Sequence, residues 1–362
     1  MPPVTVLVLS PELPPDAGPL LRALDAARVA LAEHHRRGFL GAGADEVVIH
    51  REPPDDTPFG VRLRRLAATL GPGGLIVTGA GSIPLATPSD LRALVAAAAA
   101  DRPGALANHR YSADVLAIAC PREALRDLPA DLAADNALPR WLEEVAGIPV
   151  RDLRARRRLA MDLDSPLDLL LLEGVRGAPV LPLPGEAEAG PVRERLARLR
   201  ALARDPGSEL LVAGRTSATD LRWAERHTRS RTRALVEERG MRTASIGEAV
   251  GRPNRRPARS VLGALLDRDG PGSLGRHVAA LSDGALLDSR VLLAHRLGAD
   301  ERGWPSPEDR YASDLLLADR VRDPWLAELT AAAADAPIPV LLGGHSLVGP
   351  GLRPAPRPAA RG

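Results

Sequence analysis

The chain contains neither lysine nor glutamine, and all 48 of its basic residues are arginine. Lysine supplies the phosphate-binding ammonium group of a P-loop, the nucleophile of Schiff-base enzymes and, in other enzymes, a general base. All three kinds of site are therefore excluded. Cysteine occurs once, at Cys120, which excludes an internal disulfide and a cysteine-based zinc site. A single cysteine is typical of proteins from a reducing compartment.

Aromatic residues make up only 2% of the 362 residues, and the formal net charge at pH 7 is +2. Such a chain has neither the bulk charge nor the stacking side chains that favour nucleic-acid binding. No apolar stretch approaches the length of a membrane span, and the apolar run near the N-terminus is too short for a signal peptide. We therefore expect a cytoplasmic globular protein without membrane contact, and the sequence leaves the oligomeric state open.

Short apolar runs alternate with helical patterns over the first 100 residues. Strand-like runs occupy Val4–Ser10, Glu46–His50 and Gly74–Gly79, and the segments between them follow the helical period. A further helix is predicted to begin at Thr87 or Ser89, either of which is a suitable N-cap. This alternation predicts an α/β domain with three layers and a mostly parallel sheet.

Shifts in composition divide the chain into four parts. Residues 1–175 form the predicted α/β domain, and a stretch rich in proline and glycine predicts a linker over residues 176–192. Residues 193–350 follow mainly helical patterns and are predicted to form a second, mainly helical domain. Two short strands are predicted within that domain: Glu209–Gly214 and Ile338–Gly344. Residues 351–362 are predicted to be a disordered tail, because they are mostly proline, arginine and small residues.

The stretch LAMDLDSPLDLLLLEG sets three carboxylates around a Ser-Pro step. If the segment is extended, Asp162 and Asp164 point to the same side, and a divalent ion at the end of a strand needs such oxygen ligands. Alternatively, Ser165 is a helix N-cap, Pro166 is the first helical residue and Asp168 is the acid of a capping box. The two interpretations are compatible with each other, and for Asp168 we favour the cap.

These motifs resemble those of the MobA-like and CofC-like nucleotidyltransferases, which have the glycosyltransferase-A type of fold. The resemblance covers roughly residues 4–172. It rests on four stretches: AEHHRRGFLGAGADEVVIH, PFGVRLRRL, LIVTGAGSIPLATPSDLRALV and MDLDSPLDL. Asp162 and Asp164 match the late Asp-x-Asp-[Thr/Ser]-Pro motif of the family, and Pro84 matches the proline of an earlier motif.

The resemblance implies that an NMP unit is transferred from an NTP to a small phosphorylated or acidic acceptor. It also implies Mg²⁺ held by Asp162 and Asp164 as catalytic residues. The chain departs from the family at Gly79–Ser82, where a metal-binding aspartate is usual, and in SPELPPDAGPL, where many members carry a basic glycine-rich loop. We expect the Gly79–Ser82 loop to lie close to the aspartate motif. The alternative function is a non-catalytic scaffold that binds a nucleotide or another anion.

A polar stretch, ANHRYSADV, offers further ligand contacts to a nucleotide. If it is extended, its alternate residues share one face, and arginine is a bidentate phosphate donor. The residues predicted to bind nucleotide or phosphate are Asn108, Arg110, Ser112, Asp114 and, from the earlier loop, Ser82. ADNALPRWL adds Asp135, Asn136 and Arg140 nearby. A solvated edge strand is an equally good interpretation of Asn108–Asp114.

The second half contains two features of interest. If the strands Glu209–Gly214 and Ile338–Gly344 are neighbours, the residues that follow them would line a second anion site. Its members would be Arg215, Thr216, Ser217, His345 and Ser346. Arginines also cluster in ERHTRSRTRALVEERGMR, which we place on one helix, and in RPNRRPARS. Interspersed glutamates favour a solvated helix face over a phosphate-binding surface for these arginines.

Overall fold

A computed structural model describes residues 2–356 apart from 54, 56, 70–72, 133–136, 240 and 242–256. Asp135, Asn136 and most arginines of RPNRRPARS therefore lie outside the described residues. The chain forms two compact units. The first unit comprises residues 1–17, 25–163 and 177–182, and the second comprises residues 18–24, 164–176 and 183–362. The division falls inside the aspartate motif, between Leu163 and Asp164, whereas composition placed it near residue 175.

The first unit contains a six-stranded sheet in the order β2-β1-β3-β5-β4-β6. Only β5 runs against its neighbours. The strands are β1 (Val4–Leu9), β2 (Glu46–His50), β3 (Gly74–Gly79), β4 (Gly104–Ala107), β5 (Val115–Ala119) and β6 (Val150–Asp152). The helices along residues 1–150 are α1 (Pro19–Gly41), α2 (Phe59–Thr69), α3 (Pro88–Ala98), α4 (Pro121–Ala124) and α5 (Leu138–Glu144). All of them lie in the first unit except for the start of α1.

The predicted parallel arrangement of the first three strands is confirmed. Val6 of β1 lies opposite Val47 of β2 on one side and Ile76 of β3 on the other, and both pairings are parallel. These strands are short apolar runs because helices follow them and cover the sheet, as parallel sheets require. Alternate residues enter two separate core clusters, so that Val6 packs in one cluster and Leu7 in the other.

Two predicted helix starts are confirmed. Thr87 is the N-cap of α3 in a capping box with Asp90. Helix α6 (Pro166–Leu172) begins after Ser165, whose backbone N–H donates to Asp168 Oδ2 at 2.8 Å. Both boxes satisfy N–H groups that a helix cannot satisfy itself. The capping-box interpretation of Ser165, Pro166 and Asp168 is therefore correct.

The start of α1 belongs to the second unit and is capped by a residue distant in sequence. The backbone N–H groups of Leu20 and Leu21 donate to the two carboxylate oxygens of Glu308 at 3.0 and 3.1 Å. A Cβ on Gly18 would lie 2.3 Å from the Glu308 carboxyl group, so a larger residue there would push this capping side chain aside. A carboxylate at a helix N-terminus also interacts favourably with the helix dipole.

The second unit contains more strands than the two predicted, although most of its described regular structure is helical. It contains a four-stranded parallel sheet in the order β10-β9-β7-β8. The two predicted strands are β7 and β10, and the sequence did not predict β8 or β9. The strands are β7 (Glu209–Gly214), β8 (Arg231–Val236), β9 (Gly284–Asp288) and β10 (Val340–Gly343). Strand β8 lies where we placed an arginine-rich helix. As a largely exposed edge strand it carries polar residues, which obscured its pattern.

Helices connect these strands, and one helix begins within the predicted linker. The helices are α7 (Glu186–Leu202), α8 (Ala218–His227), α9 (Val261–Asp269), α10 (Leu274–Ala279), α11 (Ser289–Leu297), α12 (Pro307–Asp314), α13 (Pro324–Ala334) and α14 (His345–Val348). Helix α7 starts inside the expected linker and contains Pro191. No helix in the described part of the chain combines the length and apolarity needed to cross a membrane.

The described part of the expected disordered tail is ordered. Residues Pro350–Leu352 form a short 3-10 turn. Leu352 and Ala355 are almost completely buried. Their apolar side chains hold the start of the tail in the core of the second unit, an effect that composition alone does not reveal. Residues 357–362 lie outside the described residues.

Candidate functional site

The loop that follows β3 lies beside the aspartate motif. Ser82 and Asp162 form an isolated antiparallel bridge. The backbone N–H of Leu163 donates to the carbonyl oxygen of Gly81 at 3.0 Å. The expected proximity of this loop to Asp162 is therefore confirmed, at the carboxyl edge of the sheet where α/β proteins bind ligands.

A buried histidine fixes the conformation of this loop. His35 on α1 places Nε2 2.7 Å from the carbonyl oxygen of Ser82, so Nε2 carries the donated hydrogen. Burial lowers the pKa of His35 to about 4, and the ring is neutral at pH 7. The next residue, Ile83, is fully buried with a φ of 48°, which is costly for a β-branched residue. The hydrogen bonds around it maintain a strained loop.

Arg28 lies on the other side of the loop. Its Nε and Nη2 donate to the carbonyl oxygen of Leu163 at 3.0 and 2.6 Å. A Cβ added to Gly81 would lie 3.2 Å from Arg28 Nε and 3.2 Å from Asp162 Oδ1. The guanidinium and the carboxylate thus surround one glycine, and a larger residue at position 81 would displace them.

The two predicted metal ligands lie in different units and have different surroundings. Asp162 belongs to the first unit, and its Oδ1 accepts from the backbone N–H of Leu163 at 2.9 Å. Asp164 belongs to the second unit, where Ser346 Oγ donates to its Oδ2 at 3.4 Å. Among the described residues, no group of three or more His, Cys, Asp or Glu side chains could hold a metal ion. The Mg²⁺ site therefore stays a prediction.

Residues Asn108–Asp114 do not form the predicted strand but the turn between β4 and β5. The buried Asn108 side chain closes this turn. Its Nδ2 donates to Asp114 Oδ2 at 2.8 Å and to Leu159 O at 2.9 Å, and its Oδ1 accepts from Asp114 N at 2.9 Å. An asparagine whose oxygen and nitrogen are both bonded within the fold has a structural role.

The other predicted phosphate ligands do not share a face with Asn108. Arg110 pairs with Glu143 and also donates to the carbonyl oxygen of Val150 at 3.0 Å. Ser112 is exposed in the turn. Arg140 pairs with Glu144 one helical turn further along. The predicted extended segment with these residues on one face is therefore wrong, because the segment turns back on itself, and phosphate binding by these residues stays a prediction.

The carboxyl edge of the second sheet carries a buried ion pair. Arg215 follows β7, and its Nε and Nη2 donate to the two carboxylate oxygens of Asp288 at 2.6 and 3.1 Å. Burial acts to raise the pKa of Asp288, but the positive charge of Arg215 and its hydrogen bonds outweigh burial, and the pKa is lowered. Gly214 has a φ of 126°, and a Cβ there would lie 2.2 Å from Asp288 Cβ. Glycine is therefore needed for this approach.

The condition for the predicted second anion site, that β7 and β10 are neighbouring strands, is not met. Strand β9 lies between β7 and β10, so the two predicted strands are not neighbours. Arg215 is neutralised by Asp288. Ser217 caps α8, and its hydroxyl donates to Asp220 at 2.6 Å. The electrostatic interaction with His345 helps to lower the pKa of Asp288, and Ser346 donates a hydrogen bond to Asp164. Thr216 is completely buried, with no hydrogen-bond partner for its hydroxyl in the described structure.

Sequence reasoning missed a second buried ion pair in the second unit. Arg290 donates to both carboxylate oxygens of Asp314 at 2.6 and 2.7 Å. The signal that could have found Arg290 is the sequence ALLDSR, in which two charged residues directly follow a short apolar run. Buried carboxylates and guanidiniums of this kind are paired because unpaired burial is costly.

The buried Asp168 has a perturbed carboxyl group. Burial, together with the nearby Asp164 charge, raises the pKa of Asp168 well above its usual range.

Comparison with known proteins adds no family to this description. The chain matches no family model, and no curated protein matches its sequence significantly.

Proposed function

We propose that the first unit is a nucleotidyltransferase-like domain with the three-layer arrangement of that fold. In this proposal it binds a nucleotide or a similar phosphate-bearing anion at the carboxyl edge of its sheet, and binding needs no catalytic metal ion. The observation that carries the proposal is the Ser82–Asp162 bridge. It supports a ligand site at this edge, with a hydroxyl in the loop where the resemblance implies a carboxylate.

The chemical reason lies in what nucleotidyl transfer requires. Mg²⁺ neutralises phosphate oxygens and is itself held by carboxylates, usually from more than one element. Here the loop after β3 contributes Ser82, a hydroxyl, and its bridge partner Asp162 contributes a carboxylate. A hydroxyl and backbone N–H groups can bind a phosphate by hydrogen bonds. They cannot replace the charge of a second metal ligand.

The competing function is Mg²⁺-dependent transfer of an NMP unit to a small phosphorylated or acidic acceptor. It is favoured by the Asp-x-Asp-Ser-Pro match, which places Asp162 and Asp164 two residues apart. Both functions imply a nucleotide ligand and a cytoplasmic protein. They differ in whether the ion is needed.

Nucleotide titrations separate the two functions. Each of ATP, GTP, CTP and UTP is titrated into the full chain by calorimetry, once in excess Mg²⁺ and once in EDTA. We expect one nucleotide to bind with an affinity that differs by less than about threefold between the two conditions, and we expect no product with acidic or phosphorylated acceptors. Affinity that rises by tenfold or more in Mg²⁺, or the appearance of product, would establish the transferase instead.

A designed variant makes the test sharper. Ser82→Asp places a carboxylate beside Asp162, whereas Ser82→Asn has the same size without the charge. If Ser82 occupies a vacant metal position, only the aspartate variant should gain Mg²⁺-dependent nucleotide binding. If the natural chain binds neither a nucleotide nor inorganic pyrophosphate, both functions are eliminated.

A further inference from the structure

A cleft of about 270 Å³ opens at the amino edge of the sheet in the first unit. It lies at the opposite end of β3 from the Ser82 loop. Its walls include Thr5 and Leu75 near the starts of β1 and β3, and Ala67 and Ala68 on α2. Because β5 runs antiparallel to β3, helix α4, which follows β5, returns to this edge and brings Arg122 into the wall.

The cleft is lined by closely packed backbone and by short side chains. A Cβ on Gly73 would lie 2.1 Å from the carbonyl oxygen of Pro3, and one on Gly74 would lie 2.1 Å from that of Ala98. These backbone contacts require glycine at both positions. Helix α2 contributes two alanines to the lining, where longer side chains would fill the volume. The cleft therefore follows from the placement of the backbone and from short side chains.

Two arginines give the cleft an uncompensated positive charge. Arg64 on α2 and Arg122 on α4 both line it, and neither makes an ion pair or a side-chain hydrogen bond within the described structure. By contrast, Arg62 and Arg65 on the same helix pair with Asp55 and Glu52. None of the ten lining residues is acidic. Exposed arginines without partners at an apolar cleft are the donors that a carboxylate or phosphate requires.

We propose that this cleft binds a small organic anion, a molecule with one phosphate or carboxylate group on a compact apolar body. The apolar wall formed by Ala67, Ala68 and Leu75 takes the body, and Arg64 and Arg122 take the charged group. The volume of about 270 Å³ lies just below the roughly 300–1,000 Å³ typical of small-molecule sites. A mononucleotide with its ribose and base fits poorly, so the ligand differs in class from that of the Ser82 loop.

The probes are 1-naphthyl phosphate and 1-naphthoate, which share an apolar body and differ in the charged group. Inorganic phosphate and 1-naphthol are the control compounds, because each represents one half of the ligand: the charged group or the apolar body. Each is titrated into the full chain by calorimetry. We expect at least one naphthyl anion to bind about tenfold or more tightly than either half, because the body and the charge contribute together. Which of the two anions binds more tightly identifies the charged group of the ligand.

The variants are Arg64→Gln and Arg122→Gln, with Arg92→Gln as the matched control. Arg92 is an exposed arginine on α3 that does not line the cleft. Each cleft variant should weaken naphthyl-anion binding by about tenfold, and the control should change it by less than about twofold. Ala68→Leu should abolish binding by filling the cleft. All three cleft positions are exposed or lie at a helix surface, and circular dichroism checks that each variant is folded.

Three results would overturn the proposal. The first is no binding of either naphthyl anion to the natural chain. The second is binding that Arg64→Gln and Arg122→Gln leave unchanged. The third is binding that survives in Ala68→Leu. Added nucleotide should not displace the naphthyl anion, so failure here is distinguishable from failure of the nucleotide site.

Discussion

The buried His35 makes the stability of the first unit depend on pH in a way that can be measured. The unfolded chain binds a proton on this ring near pH 6.5, whereas burial lowers the pKa in the folded chain to about 4. Between these values the unfolded state binds more protons, so stability falls as the pH falls. The full contribution is present above about pH 6.5. A shift from 6.5 to 4 corresponds to about 3 kcal/mol lost by pH 4.

The assay compares wild type with His35→Gln, whose amide N–H can still donate to the carbonyl oxygen of Ser82. Urea unfolding is followed by the fluorescence of Trp141, which lies in the core of the first unit. The other three tryptophans are replaced by phenylalanine in both proteins. Between pH 7.5 and pH 4 the wild type should lose about 3 kcal/mol more than the variant. Parallel pH curves for the two proteins would refute a neutral, buried His35.

Three further predictions concern the other buried polar groups. Asp288→Asn leaves the buried Arg215 without its counter-ion and should destabilise the second unit by about 3–5 kcal/mol in thermal or urea unfolding, while the exposed Asp300→Asn should have almost no effect. Asn108→Ala removes the bonds that close the β4–β5 turn and should cost about 2–4 kcal/mol, which hydrogen exchange in those two strands would report. The raised pKa of Asp168 means that the folded state binds a proton more readily, so its contribution to stability falls as the pH rises above about 3.8. Asp168→Asn should therefore be as stable as wild type at pH 7.5 or more so, and a large loss of stability would show that the carboxylate is needed in its charged form.

The sequence predicted those parts of the fold that depend on local patterns. The first three strands are uninterrupted apolar runs, and their parallel pairing follows from the helices between them. The capping boxes at Thr87 and Ser165 were readable because a cap and its partner lie three residues apart. The nearness of the Gly79–Ser82 loop to Asp162 was predicted from the family resemblance, which places the two motifs at one site, together with the carboxyl-edge rule.

Features that depend on distant residues were not predictable in this way. Arg215 and its partner Asp288 are 73 residues apart. Until the order of the strands is known, nothing local distinguishes this arginine from an anion ligand. The stretch from Asn108 to Asp114 alternates like a strand, but a side chain that bonds to the backbone six residues later turns the chain instead. Strand β8 lacks the apolar pattern of a buried strand because residues on an exposed edge strand do not need to be apolar.

The capping of α1 by Glu308 has a consequence for how the protein is made. Leu20 and Leu21 leave the ribosome long before Glu308 is synthesised, since 288 and 287 residues separate them from it. During synthesis the first turn of α1 therefore has no partner for its N–H groups, although β1 precedes it and the rest of α1 follows it. Contacts of such long sequence separation form slowly and late. The second unit can close only after translation of residue 308, so a nascent chain or a C-terminal truncation that stops before that point should present a frayed α1 to chaperones and proteases.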